Sequence, residues 1–278
     1  MLLAFEQVGY TYAGCSEPAL QGLTLCIPAG KRCALIGQNG CGKTTLFLLA
    51  NGLYKPRQGV VRWQGEPLKY DRTSLMALRQ EVGLVFQDPE QQLVASTVEE
   101  DISYGLCNLG LPEAEVAERV GKAIADFGLT DLVDRPVHHL SLGQKKRVSL
   151  ADVMVMQPKL LLLDEPTAYL DRLHTRDLML QLKQIWAAGT TILMATHDLD
   201  LVYSWADWVF VVDRGQLVLE GTPQDVFAHR DFLENLHLGV PQVFEVLDRV
   251  AETLTIQDPH FSDFQRLRQH VLESFRQS

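Results

Sequence analysis

No stretch of this chain is apolar over anything near the roughly 20 residues that a bilayer-spanning helix needs. Runs such as Leu160 to Leu163 and Val209 to Val212 are far shorter, so the chain is not expected to cross a membrane by itself. Basic charge is also scarce, with 25 Lys+Arg against 35 Asp+Glu and a formal net charge of −10. That balance lacks the positive footprint that contact with a phosphate backbone demands and argues against nucleic acid as a partner. The five cysteines, Cys15, Cys26, Cys33, Cys41 and Cys107, show no two-residue spacing, which argues against a zinc site and a disulfide framework. The opening MLLAFEQVGY has neither a basic flank nor a long apolar run, so no secretory signal is expected. Together these point to a reducing cytoplasm. Internal repeats and low-complexity tracts are missing as well.

What is present is a 278-residue chain with 46% apolar residues, enough for one large core and a small appendix. Short β-rich segments come first: Leu3 to Val8, Leu23 to Ile27 and Arg32 to Ile36, then Gly59 to Trp63 and Val82 to Phe86. From Thr97 to about Met156 apolar residues such as Val116, Val120 and Ile124 recur at three- and four-residue steps, which predicts helices. After Lys159, strands (Leu160 to Leu163, Thr191 to Ala195, Trp208 to Val212) alternate with helices (about Arg172 to Ala188, Leu199 to Ser204). This is the pattern of a parallel sheet with crossovers. Gln216 to Glu220 reads as an edge strand, and beyond His229 short amphipathic helices follow, one with Val243, Val246 and Val250, another with Phe264, Leu267 and Val271.

Two motifs carry chemistry. Gly37-Gln38-Asn39-Gly40-Cys41-Gly42-Lys43-Thr44 fits the phosphate-loop pattern. Its glycines let successive N–H groups curl toward phosphate oxygens, and the following helix adds its positive end. Lys43 is expected to reach the β- and γ-phosphates of ATP, and Thr44 to hold Mg²⁺. The second motif, Lys159 to Glu165, is an apolar strand ending in Asp164 and Glu165, at the edge where open α/β sheets bind ligands. Alternation along a strand predicts that Asp164 faces Mg²⁺ while Glu165 faces the water attacking the γ-phosphate.

With these in place, about the first 225 positions resemble the ATP-binding cassette (ABC) family. Leu140-Ser141-Leu142-Gly143-Gln144 resembles the family signature, Gln87 the Q-loop glutamine, Ala168-Tyr169-Leu170-Asp171 the D-loop, and His197 the switch histidine. Tyr12 sits where the family stacks a ring on adenine, with Tyr10 a competing candidate. The resemblance implies an α/β P-loop NTPase fold: a RecA-like mixed-sheet core with a helical signature subdomain and a short helical C-terminal extension. The corresponding division is a nucleotide-binding domain at 1–228, its helical part at about 90–157, and an extension at 229–278 that helps to hold two ATPases together. It also implies site roles. Glu165, His197 and Lys43 are catalytic. Nucleotide contacts come from Tyr12, Gly37 through Thr45 (including Gln38, Asn39, Gly40, Cys41, Gly42 and Thr44), Gln87, Ser141, Gly143, Gln144 and Asp171. Mg²⁺ is held through Thr44, Gln87 and Asp164.

A helix beginning near Ser141 offers a hydroxyl, the Gly143 N–H and a helix dipole to an anion. In the family that anion is the γ-phosphate bound to the opposite subunit, so ATP joins a head-to-tail dimer. Two departures stand out: Leu142 where the signature usually has Gly, and Tyr169 where the D-loop has a small residue. The run Val85 to Leu93 (VFQDPEQQL), Thr97 to Ile102, Asn108-Leu109-Gly110 and Gln144 to Val148 resemble the ATPases of energy-coupling-factor importers. Within that group, Trp63 to Leu68 and the FQDPEQQ run at Phe86 to Gln92 are most similar to the ATPases of cobalt importers. The resemblance implies a peripheral protein on the cytoplasmic face of a bacterial membrane, with a second ATPase copy, a transmembrane coupling subunit and a substrate-binding membrane subunit as partners. Acidic Asp88 and Glu90 would suit a basic coupling helix. The rivals are an importer ATPase for nickel or a vitamin, a soluble ABC protein acting on DNA or ribosomes, and a P-loop kinase. The soluble ABC protein would need a basic surface, long coiled-coil inserts or a second cassette, none of which appears in this sequence, and a P-loop kinase has no use for a signature helix.

Overall fold

In the computed structural model, residues 1–246, 268–269 and 271–272 are described. Strands β1 (Leu3–Tyr10) and β2 (Leu20–Ile27) pair antiparallel, and β1 also pairs with β4 (Gln58–Trp63), which carries the short β5 (Glu66–Pro67). These four form one sheet in the order β2-β1-β4-β5. The second sheet has six strands, β6 (Val82–Val85), β7 (Leu160–Asp164), β8 (Thr191–Ala195), β3 (Arg32–Ile36), β9 (Trp208–Asp213) and β10 (Gln216–Gly221). The first five run parallel and β10 closes the edge antiparallel to β9, as the sequence pattern predicted for Gln216 to Glu220. The opening β-rich segments, by contrast, do not all enter one sheet: β3 joins the parallel sheet while β1, β2 and β4 form a separate layer.

Side-chain alternation on the parallel strands builds two cores, one on each face. Leu161, Leu163, Ile192, Met194, Val209 and Val211 face one core. Leu160, Leu162, Leu193, Phe210 and Val212 face the other, together with Phe5, Val8 and Leu23 of the antiparallel layer. The second core also takes Leu46, Phe47 and Leu49 of α1 (Lys43–Ala50), which is thereby sandwiched between the sheets.

Between β5 and β6 lies α2 (Arg72–Glu81), a helix the sequence reading did not anticipate. Its start is marked by Asp71, whose carboxylate accepts from Ser74 N at 3.0 Å, a standard N-cap. The expected helical stretch consists of α3 (Val98–Cys107), α4 (Glu113–Asp126) and α5 (Leu142–Met154), with two short 3₁₀ turns between α4 and α5. Thr97 opens α3 and Ser141 opens α5, each with a reciprocal capping box. Helix α6 (Arg172–Ala187) follows β7, and α7 (Leu199–Trp205) follows β8. Beyond β10 come α8 (Pro223–Ala228) and α9 (Arg230–Asn235), and residues 242–246 are helical. Leu233, Val240 and Leu272 are buried in the same core as Tyr203 and Phe227, so the described stretches after His229 pack on the main body. Val250, Phe264 and Leu267 lie outside the described residues.

Candidate nucleotide site

Because β3, β6, β7 and β8 are parallel, their C-terminal ends share one edge, and the residues that follow each strand converge there. Strand β3 leads into the loop Gly37 to Gly42, and α1 starts at Lys43. The loop is packed so tightly that a Cβ on Gly37 would lie 2.2 Å from the Val212 carbonyl oxygen and 2.6 Å from Cys41 Sγ. Gly42 has a φ of 110°, and a Cβ there would meet the Ala19 carbonyl oxygen at 2.7 Å. Only glycine fits either place. The buried Lys43 folds back over the loop, its Nζ donating to the carbonyls of Gly37 at 2.7 Å and Gln38 at 3.0 Å. A concave run of backbone with an ammonium at its centre is an anion cradle.

Asp164 is the last residue of β7 and has the parity of Leu160 and Leu162, which places it on the α1 face of the sheet. There its Oδ2 accepts from Thr44 Oγ1 at 2.6 Å, across 120 residues of sequence. Burial pushes the Asp164 carboxyl up, and the neighbouring Glu165 adds to this, while the Thr44 hydrogen bond and Lys43 oppose it. Glu165 diverges from Asp164 as expected, for a different reason than strand alternation. It has left the strand with a φ of 45° and its N–H donates to the Ala195 carbonyl at 2.9 Å. Its own Oε2 lies 2.9 Å from Nδ1 of His197, whose ring is largely exposed while the carboxylate is buried. So Lys43, Thr44, Asp164, Glu165 and His197 meet at one edge.

Other expected residues are placed differently. Tyr12 bonds through its hydroxyl to the buried Thr45 Oγ1 at 2.9 Å, and its ring stands edge-on to Tyr10 (5.2 Å) and Tyr54 (5.8 Å). Tyr10 stacks on Tyr54 at 5.2 Å, so the aromatic wall has three members, and Tyr54 was not visible as one in the sequence. Gln87 is exposed two residues past β6. The Gln38 side chain, at 2.6 Å from the Leu236 carbonyl, ties the loop to the stretch after α9. A cleft of about 580 Å³ between Gln38, Asn39, Thr196 and His197 has His237 and Leu238 as its other wall. No short-range signal could have joined residues 198 apart in sequence.

Ser141, Gly143 and Gln144 sit at the N-terminus of α5. Among the described residues no hydrogen bond links them to Gly37 through Lys43. Ser141 is exposed, its Oγ accepts from Gln144 N at 3.3 Å, and Gln144 Oε1 accepts from Ser141 N at 2.9 Å. The N–H groups of Leu142 and Gly143, in the first turn, have no partner within the helix by position. Asp171 caps α6, accepting from His174 N at 2.9 Å, and its other oxygen holds His174 Nδ1 at 2.8 Å. These hydrogen bonds keep the exposed Asp171 carboxyl below the usual carboxylate range. His174 in turn lies against Gly143, where a Cβ would come within 2.9 Å of its ring.

An anion cradle on β3, a carboxylate pair on β7 and a capped helix α5 presenting free N–H groups define an ATP-binding cassette. In agreement, a family profile described as ABC transporter matches residues 20–168. The chain belongs to that family. It is 65% identical over 265 residues to an ABC transporter ATP-binding protein of Nostoc sp. (strain PCC 7120), covering 95% of this chain and 96% of that protein. To the energy-coupling factor transporter ATP-binding protein EcfA3 of Clostridium perfringens it is 40% identical over 252 residues, covering 90% of this chain and 88% of that protein. The solved structure of CbiO1 from Clostridium perfringens, described as part of the ABC transporter complex CbiONQ, matches with a TM-score of 0.75 and 41% identity. That match covers 89% of this chain and 98% of CbiO1. The chain is thus an ATP-hydrolysing subunit of the energy-coupling-factor type.

Proposed function

We propose that this subunit energises cobalt(II) uptake through separate membrane proteins, working as a dimer of two copies with ATP held between them. The observation that carries the dimer is that, among the described residues, no hydrogen bond joins the two anion-binding ends of one chain: Lys43 is engaged by the Gly37 and Gln38 carbonyls, whereas Ser141 and Gln144 bond only each other. The exposed start of α5 is thus left open to a nucleotide held in the cradle of another copy. Leu142 at that helix end is 37% exposed, and Tyr169 (83%) and Leu173 (63%) are exposed apolar residues just before and within α6, whose His174 lies against Gly143. Such residues suit a second copy.

In this reading Lys43 offsets charge on the β- and γ-phosphates, Glu165 orients the attacking water, and His197 holds Glu165 and the γ-phosphate in register. Tyr12, at the rim of the aromatic wall, faces the adenine. Thr44 and Asp164 provide an all-oxygen pair, the donor set of a hard cation that keeps water and phosphate as its remaining ligands, so the residues fit Mg²⁺, joined by Gln87. Bound there, Mg²⁺ supplies Lewis-acid stabilisation of the phosphate oxygens.

Among the described residues no helix is long and apolar enough to cross a membrane, which is consistent with a peripheral subunit driven against membrane partners. The likeness to CbiO1 and the Trp63 to Leu68 and Val85 to Leu93 runs support cobalt over nickel or a vitamin as cargo. The division at about residue 228 is kept only as a proposed boundary between the cassette and a dimerising extension. Uptake of labelled cobalt by cells carrying the assembled complex, with and without Lys43→Ala, tests the assignment. Cobalt uptake that survives Lys43→Ala, or ATP-dependent uptake of nickel or a vitamin instead, would overturn it. Charge reversal at Asp88 is expected to weaken assembly with the membrane partners more than ATP binding, and equal loss of both would count against that contact.

A further inference from the structure

Lys146 is 6% exposed and lies one helical turn into α5, yet its ammonium is aimed at the backbone that follows β7. Nζ donates to the carbonyls of Pro166 and Ala168, both at 2.8 Å, and approaches that of Glu165 at 3.4 Å. An ammonium has three N–H groups and no acceptor, so three carbonyls facing one point are its natural complement. The segment it grips is strained. Glu165 (φ 45°) and Tyr169 (φ 63°) are both left-handed without being glycine. A left-handed backbone is unfavourable for a residue with a side chain and persists only where its surroundings over-determine it. On the sheet side the turn is held by Glu165 N–H to the Ala195 carbonyl, and on the α5 side by Lys146.

We propose that Lys146 is a positioning residue that locks the Glu165 turn to α5, so that an anion seated at the N-terminus of α5 fixes the carboxylate that orients water in the same chain's own site. The inference rests on the reading of Glu165 given above. Ser141 and Gly143 lie five and three residues before Lys146 on the same rigid helix. A displacement of that helix by a ligand at its first turn is therefore carried directly to the ammonium. The amine is buried at a cost, and burial lowers its pKa to about 8, with Glu165 and Asp88 opposing the shift. A buried charge without a structural or functional return is rare. A neutral residue of the same length would fill this space without that cost. Phe86, Ser149 and Pro166 line the small space beside it. Methionine and glutamine fit the space available.

The test compares Lys146→Met, Lys146→Gln and Glu165→Gln in the full-length chain, measuring ATP affinity by equilibrium binding and turnover by phosphate release. Lys146→Met should leave the dissociation constant for ATP within about threefold of wild type while kcat falls about tenfold or more. Lys146→Gln, which keeps two N–H donors on a shorter stem, should fall between the two and decides the matter should the Met variant fail to fold. In the double variant Lys146→Met, Glu165→Gln the residual single-turnover rate should equal that of Glu165→Gln alone, because both changes act on one group. A wild-type kcat in the Lys146 variants, multiplicative losses in the double variant, or equal losses of affinity and kcat would each overturn the tie. Wild-type turnover in Glu165→Gln would instead sink the reading of Glu165 itself.

Discussion

The strand edge that holds Lys43, Asp164 and Glu165 and the helix start that holds Ser141 and Gly143 are the two proposed anion sites, and they are built in opposite ways. At the strand edge the charges are buried and already engaged: Lys43 by loop carbonyls, Asp164 by Thr44, Glu165 by His197. At the helix start there is no charge, the hydroxyl is exposed, and the only preparation is a capping box and a glycine pressed against His174. The first is organised by the long-range closure of a sheet, the second by local helix chemistry. A preorganised, desolvated cluster is where chemistry is done, because fixed dipoles act strongly in low dielectric. An exposed helix end is where a second body is recognised. The asymmetry within one chain is what makes the pairing of two chains informative.

The comparison can be broken most directly at Glu165. Glu165→Gln is expected to lower turnover by about 10³ while ATP still binds, with ATP-dependent dimers accumulating on size exclusion. A monomer under those conditions would mean that the two sites do not meet across chains. Next in size, Lys43→Ala and Ser141→Arg should each cost about 100-fold in turnover. Mixed in equal amounts, they should recover about a quarter of wild-type activity, since half of random dimers then carry one intact composite site. No recovery would show that each chain completes its own site.

A milder change probes the helix start alone. Gly143→Ala places a methyl 2.9 Å from the His174 ring, which is exposed enough to shift, so turnover should fall only about tenfold with the melting temperature unchanged. A loss as large as that of Ser141→Arg would show that the glycine backbone itself, rather than its clearance, is limiting.

The smallest effect concerns stability behind the helix start. Asp152 of α5 is bonded by Gln92 at 3.1 Å, and burial pushes its carboxyl up to about 7 from the ordinary 3.8 of a free aspartate. The folded chain therefore holds a proton that the unfolded chain loses between those two values, and stability falls as pH rises through that window. Asp152→Asn should melt a few degrees above wild type at about pH 8, the gap closing toward about pH 4. A gap independent of pH would place the effect in packing rather than in ionisation.

The parallel sheet, its edge strand, the helical middle and the convergence of the phosphate loop with the Asp164–Glu165 pair were legible in the sequence, because glycine spacing and apolar runs are local signals. Helix α2 was missed since its apolar face is thin, with Leu78 its one fully buried residue, and Asp71 is a cap only once a helix is known to follow. The split of the β-rich start into two layers was equally invisible, as strand pairing is a tertiary choice.

The sequence by itself determined which residue types stand together in the motifs: a lysine after a glycine loop, a carboxylate pair after an apolar strand, a hydroxyl and a glycine at a helix start. Tertiary structure alone decided how they are held. Parity on β7 put Asp164 against Thr44, a left-handed turn aimed Glu165 at His197, and Lys146 and Leu236 reached the site from segments far away in sequence. Residue types and spacings are properties of the chain, whereas which carbonyl meets which amine is settled only when distant strands close into a sheet and bury them together.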